Sequence, residues 1–463
     1  MEEQIASLAA ELAALREATA GMNKTAAETF YYLTIPLMVL IHAGFLSYEM
    51  GASRAKNALS SGIKNILAFA FIIPTFYFAG WFIYWAFPTG LTMSVGPQEI
   101  SGFDYAMGAA FPAGSVMGPN LGDSATGVFF GAFAMFAATT ASIMSGSLIE
   151  RIQIVGFVIL AIVLGSFVWI LGAAWGWHAD GWLVTTLGYH DFGAAGVVHA
   201  IAGFFTLGVL LNLGARVGKF NPDGTANSIP GHSMPATLVG LMLIIAGFWG
   251  FLMGCVIFPG EAWSWGEGIF ATIYGSPTNL SALTFNILMG FAGGAIAAWV
   301  VTHDPFWMMS GALGGIIAVA GGLDLYWPPM AFVIAVIGGL IMPFAARVLE
   351  RMRIDDAVGA VALHGVVGLW GVVAVGIFAA GYPALTTEGA PTISLFGQVS
   401  GALIMAALGF IPGFVVSLIL KRLGMLRVPR EAELLGLDRV KVPAVAYPEV
   451  LGEPAHGPVT PAQ

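Results

Sequence analysis

The chain has 463 residues, of which 58% are hydrophobic and only 9% are charged. Soluble domains carry roughly 25% charged residues, so this composition excludes an ordinary water-soluble protein. The net charge of −9 argues against nucleic acid as a partner. The single cysteine, Cys255, excludes a disulfide framework and a cysteine-based metal site.

The first element is a segment over residues 1–28 that begins without the basic and apolar regions of a signal peptide. Ile5, Leu8, Leu12 and Leu15 are spaced by 3, 4 and 3 residues, as in the a/d seam of a coiled coil. Two heptads are too few for a stable coiled coil on their own. The pattern therefore fits either a small bundle that stabilises an oligomer or a frayed amphipathic helix.

Apolar segments long enough to cross a membrane follow along the chain. A membrane-crossing helix needs about 20 mostly apolar residues, and long, continuously apolar runs favour helices over barrel strands. The sequence predicts eleven such spans, at 29–50, 63–87, 124–149, 152–176, 191–214, 235–258, 280–302, 306–323, 328–347, 356–380 and 396–420. We therefore predict an all-α polytopic membrane domain over 29–422, followed by a tail over 423–463.

Lysines and arginines after Lys24 all fall in alternate connections, after the first, third, fifth, ninth and eleventh spans. Basic residues mark cytoplasmic loops. An odd number of spans then places the N-terminus outside the cell membrane and the tail in the cytoplasm.

Two pairs of spans share motifs at identical spacing. Ala43-Gly44-Phe45 in the first span matches Ala246-Gly247-Phe248 in the sixth. In the fifth span Asp191 precedes His199 at the offset that separates Asp356 from His364 in the tenth. These matches pair the first span with the sixth and the fifth with the tenth. They predict two inverted repeats of five helices plus one extra helix, with a substrate site where the repeats meet.

His199 and His364 are the ionisable residues that the repeat would bring together inside the membrane. Intramembrane ionisable residues are costly and mark functional sites, although each histidine could instead bond a neighbouring helix and only stabilise packing. Two neutral imidazoles can share a proton, one donating and the other accepting. Since the surrounding residues are apolar and cannot replace an ion's hydration shell, the pair favours a small neutral solute.

Asp191 and Asp356 precede these histidines at predicted helix N-termini, where the helix dipole favours a carboxylate. Helix capping is the better explanation for Asp356. For Asp191, capping and an electrostatic contribution to an outer site are both open.

Several motifs in this order resemble the ammonium transporter (Amt/Mep/Rh) family over roughly 29–440. They are Ala43-Gly44-Phe45, Arg54-Ala55-Lys56-Asn57, Phe136-Ala137-Ala138-Thr139, Ser145-Gly146, Glu150-Arg151, Asp191-Phe192, Val197-Val198-His199, Ile229-Pro230-Gly231-His232-Ser233-Met234-Pro235, and Asp355-Asp356 through Val366. The resemblance implies a homotrimer in the cell membrane, in which each subunit has its own pore and needs no cofactor.

The resemblance also implies a transport mechanism. Ammonium is recruited at an outer aromatic site, loses its proton and passes as ammonia through a hydrophobic pore lined by His199 and His364, which relay the proton. Phe136 and Phe251 match the outer gate, and Asp191 matches a structural carboxylate near it. Trp177 is the preferred match for the outer tryptophan, with Trp175 as the alternative.

Three positions depart from the family pattern. Cys255 replaces the usual outer-site serine and is a poorer acceptor of hydrogen bonds, Leu252 replaces an asparagine, and His42 stands where glutamine is common. These changes leave open an ammonium sensor or a neutral-gas channel with little or no current. The tail keeps Glu431, Glu433 and Gly436-Leu437-Asp438, so a PII-type regulatory protein is a candidate partner. No nucleophile–base pair or metal-ligand cluster indicates an enzyme.

Overall fold

In the computed structural model, the described residues are 1–91, 124–256, 263–264, 269–272, 274–382, 389, 391–442, 444 and 446–447. Most of the predicted 88–123 loop, parts of the connections at 259–279 and 381–395, and the end of the tail lie outside them. The α-helices of the membrane domain are Glu2–Ala52, Ala58–Thr75, Trp81–Ala86, Ser124–Ser147, Ile154–Ile162, Trp169–Gly176, Ile201–Leu213, Met234–Met253, Leu280–Thr302, Pro305–Ala320, Pro328–Arg351, Val367–Phe378 and Leu395–Arg422.

Shorter elements complete the described architecture. Four π-helical segments continue directly into α-helices, at Phe76–Gly80, Val163–Val168, Ala195–Ala200 and Val361–Val366. Short helices are Ala55–Asn57, Trp182–Leu187, Arg430–Leu435 and Leu437–Lys441. Three antiparallel strands in the order β1-β2-β3 are Trp263–Ser264, Ile269–Ala271 and Pro277–Thr278, with Trp263 opposite Phe270 and Phe270 opposite Thr278.

Nine helical segments in the described ranges are long and apolar enough to cross a membrane. Pro305–Ala320 is apolar but shorter, and Ser124–Ser147 adjoins residues that are not described. The multi-pass membrane protein is therefore confirmed, whereas the number of eleven crossings stays a prediction.

The first helix is continuous from Glu2 to Ala52, so the segment 1–28 is not separated from the first span by a break. Residues 2–22 of this helix are exposed, including Ile5, Leu8, Leu12 and Leu15. The structure of this chain thus contains the amphipathic segment as a helix, with its apolar seam uncovered.

Spans one and six pack directly on one another through small residues. A Cβ atom on Gly44 would lie 2.6 Å from the carbonyl oxygen of Gly240, and one on Gly247 would lie 2.7 Å from the backbone nitrogen of Ile41. Close packing through small residues is the usual way in which helices associate in lipid, where burial of apolar surface contributes little.

The two histidine-bearing segments cross each other in opposite directions. Gly203 contacts Gly365, and Gly368 contacts Ala195 and Ala200. Residue numbers therefore increase in opposite directions along the two segments, which run antiparallel. Asp191 and Asp356 consequently lie at opposite ends of the helix bundle. The basic residues gather at the Asp356 end, which we call the basic end: Arg54 pairs with Glu150, and Arg216 pairs with Asp355.

We expect Gly203→Val to destabilise the fold because a Cβ atom there would lie 2.1 Å from the backbone nitrogen of Gly365. Overpacking of this kind costs roughly 1–3 kcal/mol, and here the obstacle is backbone that cannot rotate away. Thermal unfolding of the purified protein in detergent measures the effect. Gly21→Ala is the matched control, since nothing lies within 4 Å of the position that its Cβ atom would take; equal melting temperatures for the two variants would contradict the expectation.

Candidate functional site

The structure brings His199 and His364 into direct contact. Their Nδ1 atoms are 3.0 Å apart and their ring centroids 5.1 Å apart. His199 is fully buried and His364 is 4% exposed. One Nδ1 must donate and the other accept, so the pair shares one proton between two neutral rings.

Local structure explains how the pair forms. Both histidines lie in π-helical segments, Ala195–Ala200 and Val361–Val366, and such segments often occur at functional sites. The glycine contact of Gly203 with Gly365 lets the backbones approach closely. The sequence spacing indicated the two histidines, but not the π-helical turns that present them.

A row of aromatic rings leads to the pair. Phe136 meets Phe251 edge to face at 4.5 Å between centroids. Phe251 and Phe248 each stack against His199, at 5.9 Å and 5.6 Å. Of the two predicted gate residues, Phe251 contacts His199 and Phe136 contacts Phe251.

Trp177 extends this row on the side away from the histidines. Its ring lies 5.4 Å from Phe136, and its Nε1 donates to the carbonyl oxygen of Asp191 at 2.7 Å. Trp175 instead donates to the carbonyl oxygen of Gly90 and packs on Trp182. Of the two tryptophans, Trp177 is the one in contact with Phe136.

Asp191 is a buried helix cap. Its Oδ2 accepts from the backbone N–H groups of Gly196 and Val197, each at 2.8 Å, and from the Tyr189 hydroxyl at 3.1 Å. Its Oδ1 is buried without a hydrogen-bond partner among the described residues. Capping is thus present, and one buried acceptor atom of Asp191 is left without a partner in the part of the chain that the structure describes.

Asp356 caps the matched segment at the other end of the bundle. Its carboxylate accepts from the backbone N–H groups of Ala360 and Val361 and from the Ser147 hydroxyl. The capping explanation given from the sequence fits this geometry.

The two departures at the outer site differ in what they contact. The Cys255 thiol, in the turn after the helix Met234–Met253, donates to the carbonyl oxygen of Phe251 at 3.5 Å. Leu252 is 1% exposed and would touch a Cβ on Gly193. Leu252 therefore fills apolar space between helices.

Beyond His364 lies a narrow apolar cavity lined by Phe45, Tyr48, Ile143, Gly146, Leu241, Ile244, Leu313, Val358, Ala360, Leu363 and His364. Its volume of about 10 Å³ is close to the least that can hold one water molecule. Any solute that leaves the histidines by this route must be small and must tolerate apolar walls.

Several charged residues at the basic end are paired. Asp355 accepts from Arg216 at 2.9 Å and lies 3.8 Å from Arg151. Burial raises the pKa of Asp355, but Arg151 and Arg216 outweigh it and hold this pKa below its usual range. The tail joins this network, because Glu433 pairs with Arg427 and accepts from the backbone of Val217.

Sequence reasoning missed two features of the site. Phe248, which stacks on His199, lies in the same Phe-Trp-Gly-Phe run as Phe251, so its spacing could have indicated it. Lys64, one of the basic residues expected in the connection after the first span, is buried 4.0 Å from Glu49. A glutamate and a lysine in two adjacent apolar spans were the available signal.

The fold and the site define a class: a multi-pass helical membrane protein with a buried histidine pair reached through aromatic rings. Comparison with known proteins gives the family. The sequence pattern of the Ammonium Transporter Family matches residues 29–447. This chain therefore belongs to the ammonium transporter family.

Individual relatives agree with this assignment. Ammonium transporter Amt2 of Archaeoglobus fulgidus is 31% identical over 467 residues, which cover 93% of this chain and 92% of that protein. A solved structure described as a Sensor Amt Protein has a TM-score of 0.76 at 24% identity, covering 91% of this chain and 99% of that one. Mep2 of Candida albicans has a TM-score of 0.66 at 21% identity, covering 88% and 87%. The solved structures share the fold, and the relatives are named as transporters, which are not enzymes.

Asp191→Ala should lower stability by about 1–3 kcal/mol, because two buried N–H groups lose their acceptor. Asp191→Asn keeps an acceptor oxygen and should unfold closer to wild type, which makes it the matched control. Thermal unfolding in detergent measures both. If the alanine variant were as stable as the asparagine variant, capping would not be the structural role of Asp191.

Proposed function

We propose that this chain carries ammonium across the cell membrane by releasing its proton and passing ammonia along the row Trp177, Phe136, Phe251, His199 and His364. The observation that supports this most strongly is the 3.0 Å contact between the two buried imidazoles at the end of the aromatic row. Apolar walls before and after the pair disfavour an ion and admit a small neutral molecule.

Recruitment falls to the aromatic end of the row. A cation over an aromatic face gains about 0.5–2 kcal/mol, and Trp177 lies against Phe136 with Asp191 behind it. Ammonium and a metal cation of similar size gain similar cation–π stabilisation at this end of the row. Only ammonium can then give up a proton and continue as a neutral molecule, so selectivity arises from the apolar passage.

The histidine pair is proposed as pore lining and proton relay. A neutral imidazole accepts at one nitrogen while it donates at the other, and His199 Nε2 is buried with no partner among the described residues. Because no group in the described part of the chain bonds that nitrogen, it is available to a solute in the pore.

For the whole protein we propose a homotrimer of subunits with eleven helices each, built from two inverted five-helix repeats plus one helix. The basic end is proposed to face the cytoplasm, and a PII-type regulatory protein is the proposed partner there. The exposed seam of Ile5, Leu8, Leu12 and Leu15 supports association outside the membrane, because three copies of the seam could cover one another.

His199→Ala should abolish at least most of the ammonium-evoked current of reconstituted protein, because it removes one ring of the pair. Electrophysiology on a solid-supported membrane measures the current. His303→Ala is the matched control, since His303 is exposed at a helix end. A current that persists unchanged in the His199 variant would contradict the proposal.

A sensor is a second candidate, supported by the high TM-score with a protein described as a Sensor Amt Protein. A sensor would bind ammonium tightly without flux and would lose signalling on removal of residues 423–463. A neutral-gas channel would instead show flux without current. Current and flux measured in parallel on wild-type protein separate these two candidates. Flux without current indicates the channel, and binding with neither flux nor current indicates the sensor.

Cys255→Ser should strengthen recruitment, because a hydroxyl is a better hydrogen-bond acceptor than a thiol. One added bond of about 1 kcal/mol would lower the ammonium concentration for half-maximal current by roughly fivefold. Cys255→Ala is the matched variant and should not lower it. Equal half-maximal concentrations for the serine and alanine variants would show that the side chain at Cys255 does not bind ammonium at the recruitment site.

A further inference from the structure

A short hairpin lies at the end of the bundle opposite the basic end. Its two strands, Ile269–Ala271 and Pro277–Thr278, pair in antiparallel fashion. At the turn between them, the N–H of Gly275 donates to the carbonyl oxygen of Thr272 at 2.9 Å. Gly275 has a φ of +73°, a left-handed conformation that favours glycine. The backbone therefore closes a tight turn, and this turn contains Tyr274.

Tyr274 reaches from the hairpin to the backbone on both sides of the outer site. The residue is buried, and its hydroxyl donates to the carbonyl oxygen of Gly176 at 2.6 Å. The same hydroxyl accepts from the N–H of Asp191 at 3.1 Å. Gly176 is the last residue of the helix Trp169–Gly176, and the last carbonyl groups of a helix have no partner within it. Tyr274 thus caps this helix and ties its end to Asp191.

These bonds form a closed loop around Trp177. Trp177 follows Gly176 directly in the chain, and its Nε1 donates to the carbonyl oxygen of Asp191 at 2.7 Å. The Tyr274 hydroxyl joins the other two members of the loop, Gly176 and Asp191. The backbone and the indole of Trp177 are therefore both held relative to one hydroxyl group. Since the indole lies 5.4 Å from Phe136, this loop fixes the position of the ring that begins the aromatic row.

Buried contacts hold Tyr274 itself in place. Its ring lies 4.2 Å from the imidazole of His190, measured between centroids. The side chain of Gln398 accepts from the His190 N–H and donates to the His190 carbonyl oxygen. Asp324 bonds His190 Nε2 at 3.1 Å through one oxygen and accepts from the Ser276 hydroxyl at 2.5 Å through the other. Asp324 therefore connects the hairpin to the histidine on which Tyr274 packs.

We propose that Tyr274 is a positioning residue for the recruitment of ammonium, an inference that rests on the proposed function. It acts through Trp177, because its own hydroxyl is occupied by Gly176 and Asp191. A cation gains from an aromatic ring only when it lies over the ring face, within about 6 Å of the centroid. An indole that can shift loses part of this gain. Deprotonation and passage of ammonia take place farther along the row, so Tyr274 affects recruitment and not the later steps.

Tyr274→Phe tests the proposal, because it keeps the ring that packs on His190 and removes only the hydroxyl. We expect the ammonium concentration for half-maximal current to rise roughly fivefold, as for the loss of a cation–π contact of intermediate strength. The maximal current should stay at the wild-type value. Electrophysiology on a solid-supported membrane measures both quantities. A variant that only folded less well would lower the maximal current and leave the half-maximal concentration unchanged.

Tyr326→Phe is the matched control. Tyr326 is a buried tyrosine in the connection after the helix Pro305–Ala320. Its hydroxyl has no hydrogen-bond partner among the described residues. Removal of this hydroxyl should therefore change neither the half-maximal concentration nor the maximal current.

A double variant tests whether Tyr274 acts through Trp177. Trp177→Phe keeps an aromatic ring but loses the N–H that reaches Asp191, so it opens the loop of hydrogen bonds. In that background Tyr274→Phe should raise the half-maximal concentration by a clearly smaller factor than in wild type, because residues that share one contact are not additive. Equal factors in the two backgrounds would overturn the proposal, and so would the absence of any rise in the wild-type background.

Ser276→Ala is a second variant that leaves Tyr274 intact and removes the hydroxyl that bonds Asp324. It should also raise the half-maximal concentration, and it decides the question if Tyr274→Phe yields no folded protein. An unchanged value would then overturn the role of Tyr274. A wild-type protein without ammonium-evoked current would overturn the proposed function instead, so the two failures are distinguishable.

Discussion

The approach of two backbones at Gly203 and Gly365 is the constraint on which the site depends. A Cβ atom on Gly203 would lie 2.1 Å from the backbone nitrogen of Gly365, so a side chain there would push apart the segments that carry the paired His199 and His364. In lipid, small residues are needed because helices associate by close packing and not by burial from water. The same few residues therefore provide both the close packing at this crossing and the contact between the histidines on which the proposed chemistry depends.

Much of the architecture could be predicted from the sequence because membrane spans have a strong signal. Runs of apolar residues located the helices, and the repeated spacing of aspartate and histidine identified the pair. Hydropathy contains no information on local backbone geometry, so it could not predict that His199 and His364 lie in π-helical segments. It also placed Lys64 near water, whereas Glu49 on a neighbouring helix allows it to be buried.

Asp191 shows how one residue can satisfy two interpretations that the sequence left open. One carboxylate oxygen caps a helix through Gly196 and Val197, and the other has no partner among the described residues. A cap fixes the orientation of the carboxylate, so the second oxygen is held in one orientation. Removing the side chain of Asp191 would abolish its structural and its electrostatic contributions together. Asparagine separates them, because it keeps an acceptor oxygen for the cap and removes the charge.

The unbroken first helix has a consequence for how the protein meets its surroundings. At about 1.5 Å per residue, its 51 residues form a rod roughly 75 Å long, whereas a bilayer with its headgroups is only about 40–45 Å thick. Roughly 30 Å of stiff rod must therefore stand clear of the lipid. This projecting helix would hold a domain fused to Met1 at a fixed height above the membrane. It would also limit how closely a large neighbouring protein can approach the bilayer beside it.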